Sequence, residues 1–389
     1  MSQRDRLDMY NANDLKLGLF GANCSSGRSA TLVPERWSAS WEDCLALARM
    51  GDEAGIDFML PIGRWKGYGG EADLQGETLE TITWATGLLQ ATSRITVFGT
   101  VHAPLFHPII AAKQCVTADH VGQGRFGLNI VAGWNEGEFE MFGVQQREHE
   151  QRYEYAQEWI NAIKIAWATN EDFDFDGQYI RLKSVRAKPK PYGGTRPLIM
   201  NAGSSGTGEA FAMRNCDAFF TATQMSRDGV DATAKMVADI KSKAQALGRE
   251  IEVFTIGQIV CRATQKEADD YYRHAMFEMA DWASLDGMLQ IKKITPQVVG
   301  AEEYKKQRDY LALRGIGGYP FVGTPDSIAD ELATLSRSGA RGIAFSMVNY
   351  LQELPLFRDE VLPRLQRIGV RLEQQKVGED DGSAARMSD

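Results

Sequence analysis

The chain carries no basic excess, no long apolar run and no paired cysteines, and each gap closes off a class of protein. Lys and Arg number 43 against 52 Asp and Glu, for a net charge of −9, so there is no electropositive footprint for nucleic acid. No run approaches the roughly 18 consecutive apolar residues that a membrane helix needs. The five cysteines (Cys24, Cys44, Cys115, Cys216 and Cys261) lie far apart without a CxxC pair, the usage expected of reduced, buried thiols in a cytoplasmic protein. The start, MSQRDRLDMYNAND, is polar and lacks the apolar centre of a secretory signal. Histidine is equally sparse, five residues with no HxH or HExxH, which argues against a metal site. No GxSxG elbow suggests covalent hydrolysis, and no repeat of roughly 20–50 residues suggests a solenoid.

What the 389 residues do contain is alternation. Short apolar runs at 15–21, 56–61, 94–102, 124–132, 197–203, 217–223, 252–261 and 342–349 read as strands, and helix-length segments separate most of them. In WEDCLALARMGDEAG (41–55), Cys44, Leu45, Leu47 and Ala48 fall at helical spacing before a capping glycine. Tyr155, Trp159, Ile163 and Trp167 recur four apart, and Thr324-Pro325 has the form of a helix start. Eight strands interleaved with helices predict a parallel sheet closed into a (β/α)8 TIM barrel rather than an open doubly wound sheet. The expected division is an N-terminal arm (1–14), one barrel domain (15–375) and a disordered tail (376–389). The longest irregular stretch, about 263–325, lies before the last strand and reads either as an active-site lid or as a packed helical insertion.

Barrel sites collect at the C-terminal ends of strands, which directs attention to Thr100 and His102, to Asn129 ahead of Gly133-Trp134, and to NAGSSGTGEAFA (201–212). The last segment reads as strand, small-residue turn and helix, where backbone N–H groups and the hydroxyls of Ser204 and Ser205 would face an anion. Its spacing is GxxGxG, not the GxGxxG of a dinucleotide site. A phosphate-binding turn is the preferred reading. Arg152-Tyr153 falls at a helix start and suits a bidentate phosphate grip, with a solvated charge run as the alternative. His102 and His107 could line a pocket, although each taken alone reads as a satisfied structural histidine.

GRFGLNIVAGWNEGEFEMFG (124–143), REHEQRYEYAQEWINAIKIAW (147–167), KPKPYGGTRPLIMNAGSSGTGEAFA (188–212) and FVGTPDSIADELATL (321–335) together resemble the bacterial-luciferase-like flavin monooxygenases. Within that family the similarity is greatest to the pyrimidine and dimethyl sulfone monooxygenases, over roughly 15–370. The resemblance implies a barrel that uses O2 and FMN, the latter reduced by a separate NAD(P)H:flavin reductase. It implies flavin contacts from Gly63, Arg64, Asn129, Glu138, Arg152, Tyr153 and Ser205, and an oxygen pocket of Leu60, Thr100 and Asn129. In that pocket Leu60 would exclude water while Thr100 and Asn129 donate hydrogen bonds to developing negative charge. Oxygen transfer at flavin N5 is the implied route, where other members use C4a.

Trp65 departs from the pyrimidine-type pattern, and with Tyr68, His102 and Trp134 it would form an aromatic pocket for a flat ring. The expected activity is oxygenation of a small N-heterocycle. The alternatives are a small organosulfur substrate, with Arg314 as the cation a sulfonate would need, deazaflavin-dependent hydride transfer, or flavin binding without catalysis. A homodimer or homotetramer is expected.

Overall fold

The computed structural model describes residues 1–203, 205–222, 231–314 and 318–372. Its strands in chain order are β1 (Lys16–Phe20), β2 (Phe58–Leu60), β3 (Thr96–His102), β4 (Phe126–Val131), β5 (Phe173–Asp176), β6 (Arg181–Val185), β7 (Leu198–Asn201), β8 (Ala218–Ala222), β9 (Glu252–Cys261), β10 (Tyr319–Gly323) and β11 (Gly342–Ser346). Strands β1, β2, β3, β4, β7, β8, β9 and β11 pair in parallel, and the β8–β9 and β9–β11 pairings close the ring. This is the (β/α)8 TIM barrel, with each anticipated strand in its place.

Residue alternation sorts the barrel into two layers, because successive side chains of a strand face opposite sides. Leu17, Leu19, Val97, Val101, Leu128, Ile130, Val253 and Ile343 pack outward against the helices. Phe58, Leu60, Phe98, Leu198, Met200, Phe220, Phe254 and Ala344 point inward. Phe58 meets Phe98 and Phe254 edge-on at 6.0 and 5.6 Å. These rings fit because glycine lies beside them: a Cβ on Gly18 would come within 2.2 Å of Phe58, and one on Gly127 within 2.4 Å of Phe98. The aromatic layer blocks the barrel below its C-terminal rim and gives the site a rigid floor.

The N-terminal end is closed by the first residues of the chain. Arg6, 1% exposed, makes two hydrogen bonds to Asp119 at 2.6 and 3.0 Å and others to the carbonyls of Gly124, Tyr192 and Thr195. Met9 joins the inner cluster. The helices match their sequence signals. Trp41–Ala54 ends on Gly55 in the left-handed region, and Pro325–Arg337 is capped by the Thr324 hydroxyl.

Two segments differ from expectation. The stretch 263–325 is not irregular: it contains helices Gln265–Arg273, Trp282–Ile291 and Ala301–Arg314, and β10 adds in parallel to the edge of β9. Ala301–Arg314 buries only Leu311 and Ala312, so its charged surface concealed its periodicity. The antiparallel hairpin of β5 and β6 was not anticipated; its strands are half exposed and largely polar. Ser204 and the tail 376–389 lie outside the described residues.

Candidate functional site

At the C-terminal rim, three neighbouring strands are linked by a short relay. Thr100 and Asn129 are register partners on β3 and β4, and both continue the inward-facing rows of Phe98 and Gly127. The Asn129 Nδ2 donates to Thr100 Oγ1 at 3.1 Å, and that hydroxyl donates to the Pro61 carbonyl at 2.6 Å. Thr100 has one proton, and it is committed to Pro61. The expectation that this hydroxyl donates to developing negative charge is therefore corrected: Thr100 orients Asn129, and the amide keeps its second N–H. Flipping the amide would set its oxygen against a hydroxyl whose proton points elsewhere, so the orientation is determined. Asn129 Oδ1 is buried without a partner, a condition that costs about 1–3 kcal/mol unless a ligand relieves it. Leu60, fully buried in the inner cluster, immediately precedes Pro61, whose carbonyl accepts from Thr100.

Above this corner sits a charged group with aromatic walls. Arg64 Nη1 bonds Glu138 Oε1 at 3.1 Å, and the Trp65 amide bonds the same oxygen at 2.9 Å. Arg64 Nε donates to Gln75 Oε1 at 3.3 Å, and Gln75 in turn donates to the Gly27 carbonyl. The guanidinium lies between two rings, 4.9 Å from the centroid of Tyr68 and 5.3 Å from that of Trp134. Trp65 packs edge-on against Phe142 at 4.9 Å and near Phe106 at 6.3 Å. Tyr68 is buried, whereas Trp134 is 40% exposed at the mouth.

His102 Nε2 lies 3.9 Å from Glu138 Oε2, beyond hydrogen-bond reach. Burial pushes its imidazole down to about 4, with Arg64 adding to the effect and Glu138 opposing it, so the ring is neutral at neutral pH and this contact is not an ion pair. The expectation of a satisfied structural histidine holds for His107, whose ring accepts from the Ile109 amide, and is corrected for His102. Its ring faces Gly63, where a Cβ would lie 3.0 Å from Cε1.

A second cluster forms after β7. Helix Gly206–Asn215 is capped by Ser205, whose hydroxyl accepts from the Gly208 amide. Tyr153, on helix His149–Ala168, brings its hydroxyl to Ser205. A Cβ at Gly203 or Gly208 would come within 2.7 or 2.5 Å of that hydroxyl, whereas one at Gly206 would meet nothing within 4 Å. The turn is thus closely packed at its back and open at the helix start. Arg152 Nη1 donates to the Gly133 carbonyl at 2.7 Å, and its Nε is buried without a partner. Asn201, not singled out in the sequence, holds this turn to β4 through Ile130 and Gly203.

Arg314 stacks on Tyr310 of its own helix and is not brought to the Arg64 cluster. A cation that the sequence reading missed is Arg28, 2% exposed, with its guanidinium 4.7 Å from the Phe20 centroid. Burial draws it down to about 10. Arg28 and Gln75 lie in loops without periodicity, so no signal in the sequence marked them. Among the described residues no cluster of metal-ligating side chains occurs and no helix is long and apolar enough to cross a membrane.

The profile of the family described as luciferase-like monooxygenase matches residues 17–342. The chain is 26% identical over 370 residues to an FMNH2-dependent dimethylsulfone monooxygenase of Pseudomonas fluorescens, covering 94% of this chain and 98% of that one. It is 25% identical over 360 residues to a pyrimidine monooxygenase of an Enterobacter species, covering 90% and 96%. Among solved structures, the protein DmoA of Hyphomicrobium sulfonivorans superposes with a TM-score of 0.81 at 20% identity, over 94% of this chain and 91% of that chain; at that identity the likeness concerns the fold.

Proposed function

Because the chain belongs to the luciferase-like monooxygenase family, we propose that it is an FMNH2-dependent monooxygenase that oxygenates a small, flat N-heterocycle. The observation that carries this reading is the corner formed by Leu60, Thr100 and Asn129, where a buried amide oxygen without a protein partner calls for a hydrogen-bond donor on a bound group, beside an N–H of the same amide that remains to be used. Relatives with FMNH2 dependence in their names span nearly the whole chain.

The residues present fit FMN. Arg152 Nε is an orphaned buried donor, and Gly203 and Gly208 pack close to the Tyr153 hydroxyl while Gly206, beside Ser205, stays open. These residues would hold the phosphate through charge-assisted hydrogen bonds and helix-terminal amides. When bound, reduced FMN supplies two electrons for the activation of O2. The remaining work falls to the chain. The aromatic layer of Phe58, Phe98 and Phe254 closes the barrel beneath the site, and Leu60 would exclude water. The free N–H of Asn129 meets negative charge as it develops on oxygen, in a dry pocket where such a bond is strongest.

Trp65, Tyr68, Trp134 and the stacked Arg64 support a planar aromatic substrate over an aliphatic one. With no dinucleotide fingerprint in the sequence, reduced FMN would come from a separate NAD(P)H:flavin reductase. The helices over 265–314 would cover the site as a lid. The test supplies FMN, a generic reductase and NADH, then offers uracil, 2-pyridone and dimethyl sulfone. Product from the rings alone supports the reading; product from the sulfone alone transfers it to organosulfur oxidation. Anaerobic hydride transfer with a deazaflavin, or FMN binding with no product at all, removes it.

A further inference from the structure

Of the five histidines, only His102 is buried. His107 caps a helix, His120 bonds the Lys190 carbonyl, His149 lies beside Glu150 and His274 beside Glu278. The His102 ring makes no hydrogen bond among the described residues, although its side chain is 5% exposed. It lies two residues beyond Thr100 on the inner face of β3, between the loops after β2 and β4. Its Cε1 would be 3.0 Å from a Cβ on Gly63 and its Cδ2 3.8 Å from one on Gly133. The charged groups that face it are Glu138, from the helix after β4, and Arg64, from the loop after β2. An imidazole left unpaired above the oxygen corner, next to a fixed carboxylate, has the arrangement of a proton carrier awaiting a substrate.

We propose that His102 is a catalytic residue that takes the ring N–H proton of a lactam or imide heterocycle as oxygen adds to the ring. The inference rests on the monooxygenase reading and narrows its substrate to rings that carry such a proton. The new carbon–oxygen bond draws an electron pair from the ring, which makes the adjacent N–H strongly acidic, so a weakly basic imidazole suffices. Glu138 stabilises the imidazolium that forms. His102 then passes the proton to the second oxygen atom of O2, which leaves as water. Four electrons reach O2, two from reduced FMN and two from the ring. Of the two protons of reduced FMN, one completes the water and the other replaces the proton lost by the product. Neutrality of the resting imidazole, depressed to about 4 by burial, keeps the acceptor nitrogen available throughout the neutral range.

The test uses the full chain loaded with FMN, as wild type, His102→Gln and His102→Ala. Histidine NMR on the wild type is expected to show one imidazole neutral down to about pH 5, absent from both variants. Turnover of uracil under 18O2 is expected to fall at least ~100-fold in both without loss of FMN affinity. Added imidazole should restore His102→Ala and not His102→Gln. 1,3-Dimethyluracil, which has no N–H, should bind without turnover in the wild type. The proposal is overturned if His102→Gln labels uracil within threefold of wild type, if imidazole restores nothing, if dimethyluracil reacts as fast as uracil, or if the imidazole titrates near 6.5. A wild type that labels no heterocycle at all instead overturns the monooxygenase reading beneath it.

Discussion

Thr100 can give its hydroxyl proton away only once, and it gives it to Pro61; in the proposed function the amide of Asn129 is therefore the group that would meet oxygen. Thr100→Val keeps the shape and removes the relay, so Asn129 loses its orientation. Product formed per NADH should fall at least ~10-fold, with H2O2 rising to match, and Asn129→Ala should do the same. Unchanged coupling in both variants would remove the oxygen corner from the account. The His102 imidazole carries a second consequence. Its folded pKa of about 4 lies below the ordinary 6.5, so unfolding takes up a proton between those values. Its contribution to stability is complete above pH 6.5 and disappears as pH falls through 4. Chemical denaturation of wild type and His102→Gln should show the wild type losing stability more steeply across that window, and parallel profiles would contradict the buried neutral ring. Thr100 and Asn129 were legible in the sequence because strand ends in a barrel face the site. The Arg64–Glu138–Gln75 arrangement was legible only in part, since Gln75 comes from a loop whose path no periodicity encodes.

The eight barrel strands could be read from apolar runs bounded by turns, because both faces of a parallel sheet are buried. The hairpin of β5 and β6 could not, since FDFD and RLKSV bury too little to stand out from loop. The helix Ala301–Arg314 was concealed for the same reason. The element with the clearest functional consequence is helix Gly206–Asn215. Gly208→Ala would set a methyl 2.5 Å from the Tyr153 hydroxyl and 2.8 Å from the Gly203 backbone, which would open the turn. FMN affinity should fall about tenfold or more, near 1.4 kcal/mol, while riboflavin affinity is unchanged. Equal losses for the two ligands, measured by fluorescence titration, would show that the turn does not hold phosphate.

At the scale of the whole molecule, the barrel is closed at its N-terminal end by Arg6 and Asp119, a pair 1% and 0% exposed in their side chains. Removing one member leaves an uncompensated buried charge, so Arg6→Met should cost about 3–5 kcal/mol, and Arg6→Met with Asp119→Leu should recover only part of it, because the carbonyls of Gly124, Tyr192 and Thr195 still lose their donor. Thermal unfolding checks both; additive losses would mean that the two residues act separately. This end lies across the aromatic layer from the site, so turnover measured well below the melting temperature should be little altered.

In the proposed function this barrel uses reduced FMN and O2 to place oxygen on a small planar ring. A single-turnover experiment isolates it: the protein is loaded anaerobically with FMNH2 and uracil, then mixed with 18O2 in the absence of reductase and NADH. One labelled oxygen atom in the product, at up to one equivalent per site, is the expected result. Reoxidised flavin with all of the label in H2O2, or unlabelled product, would contradict the account.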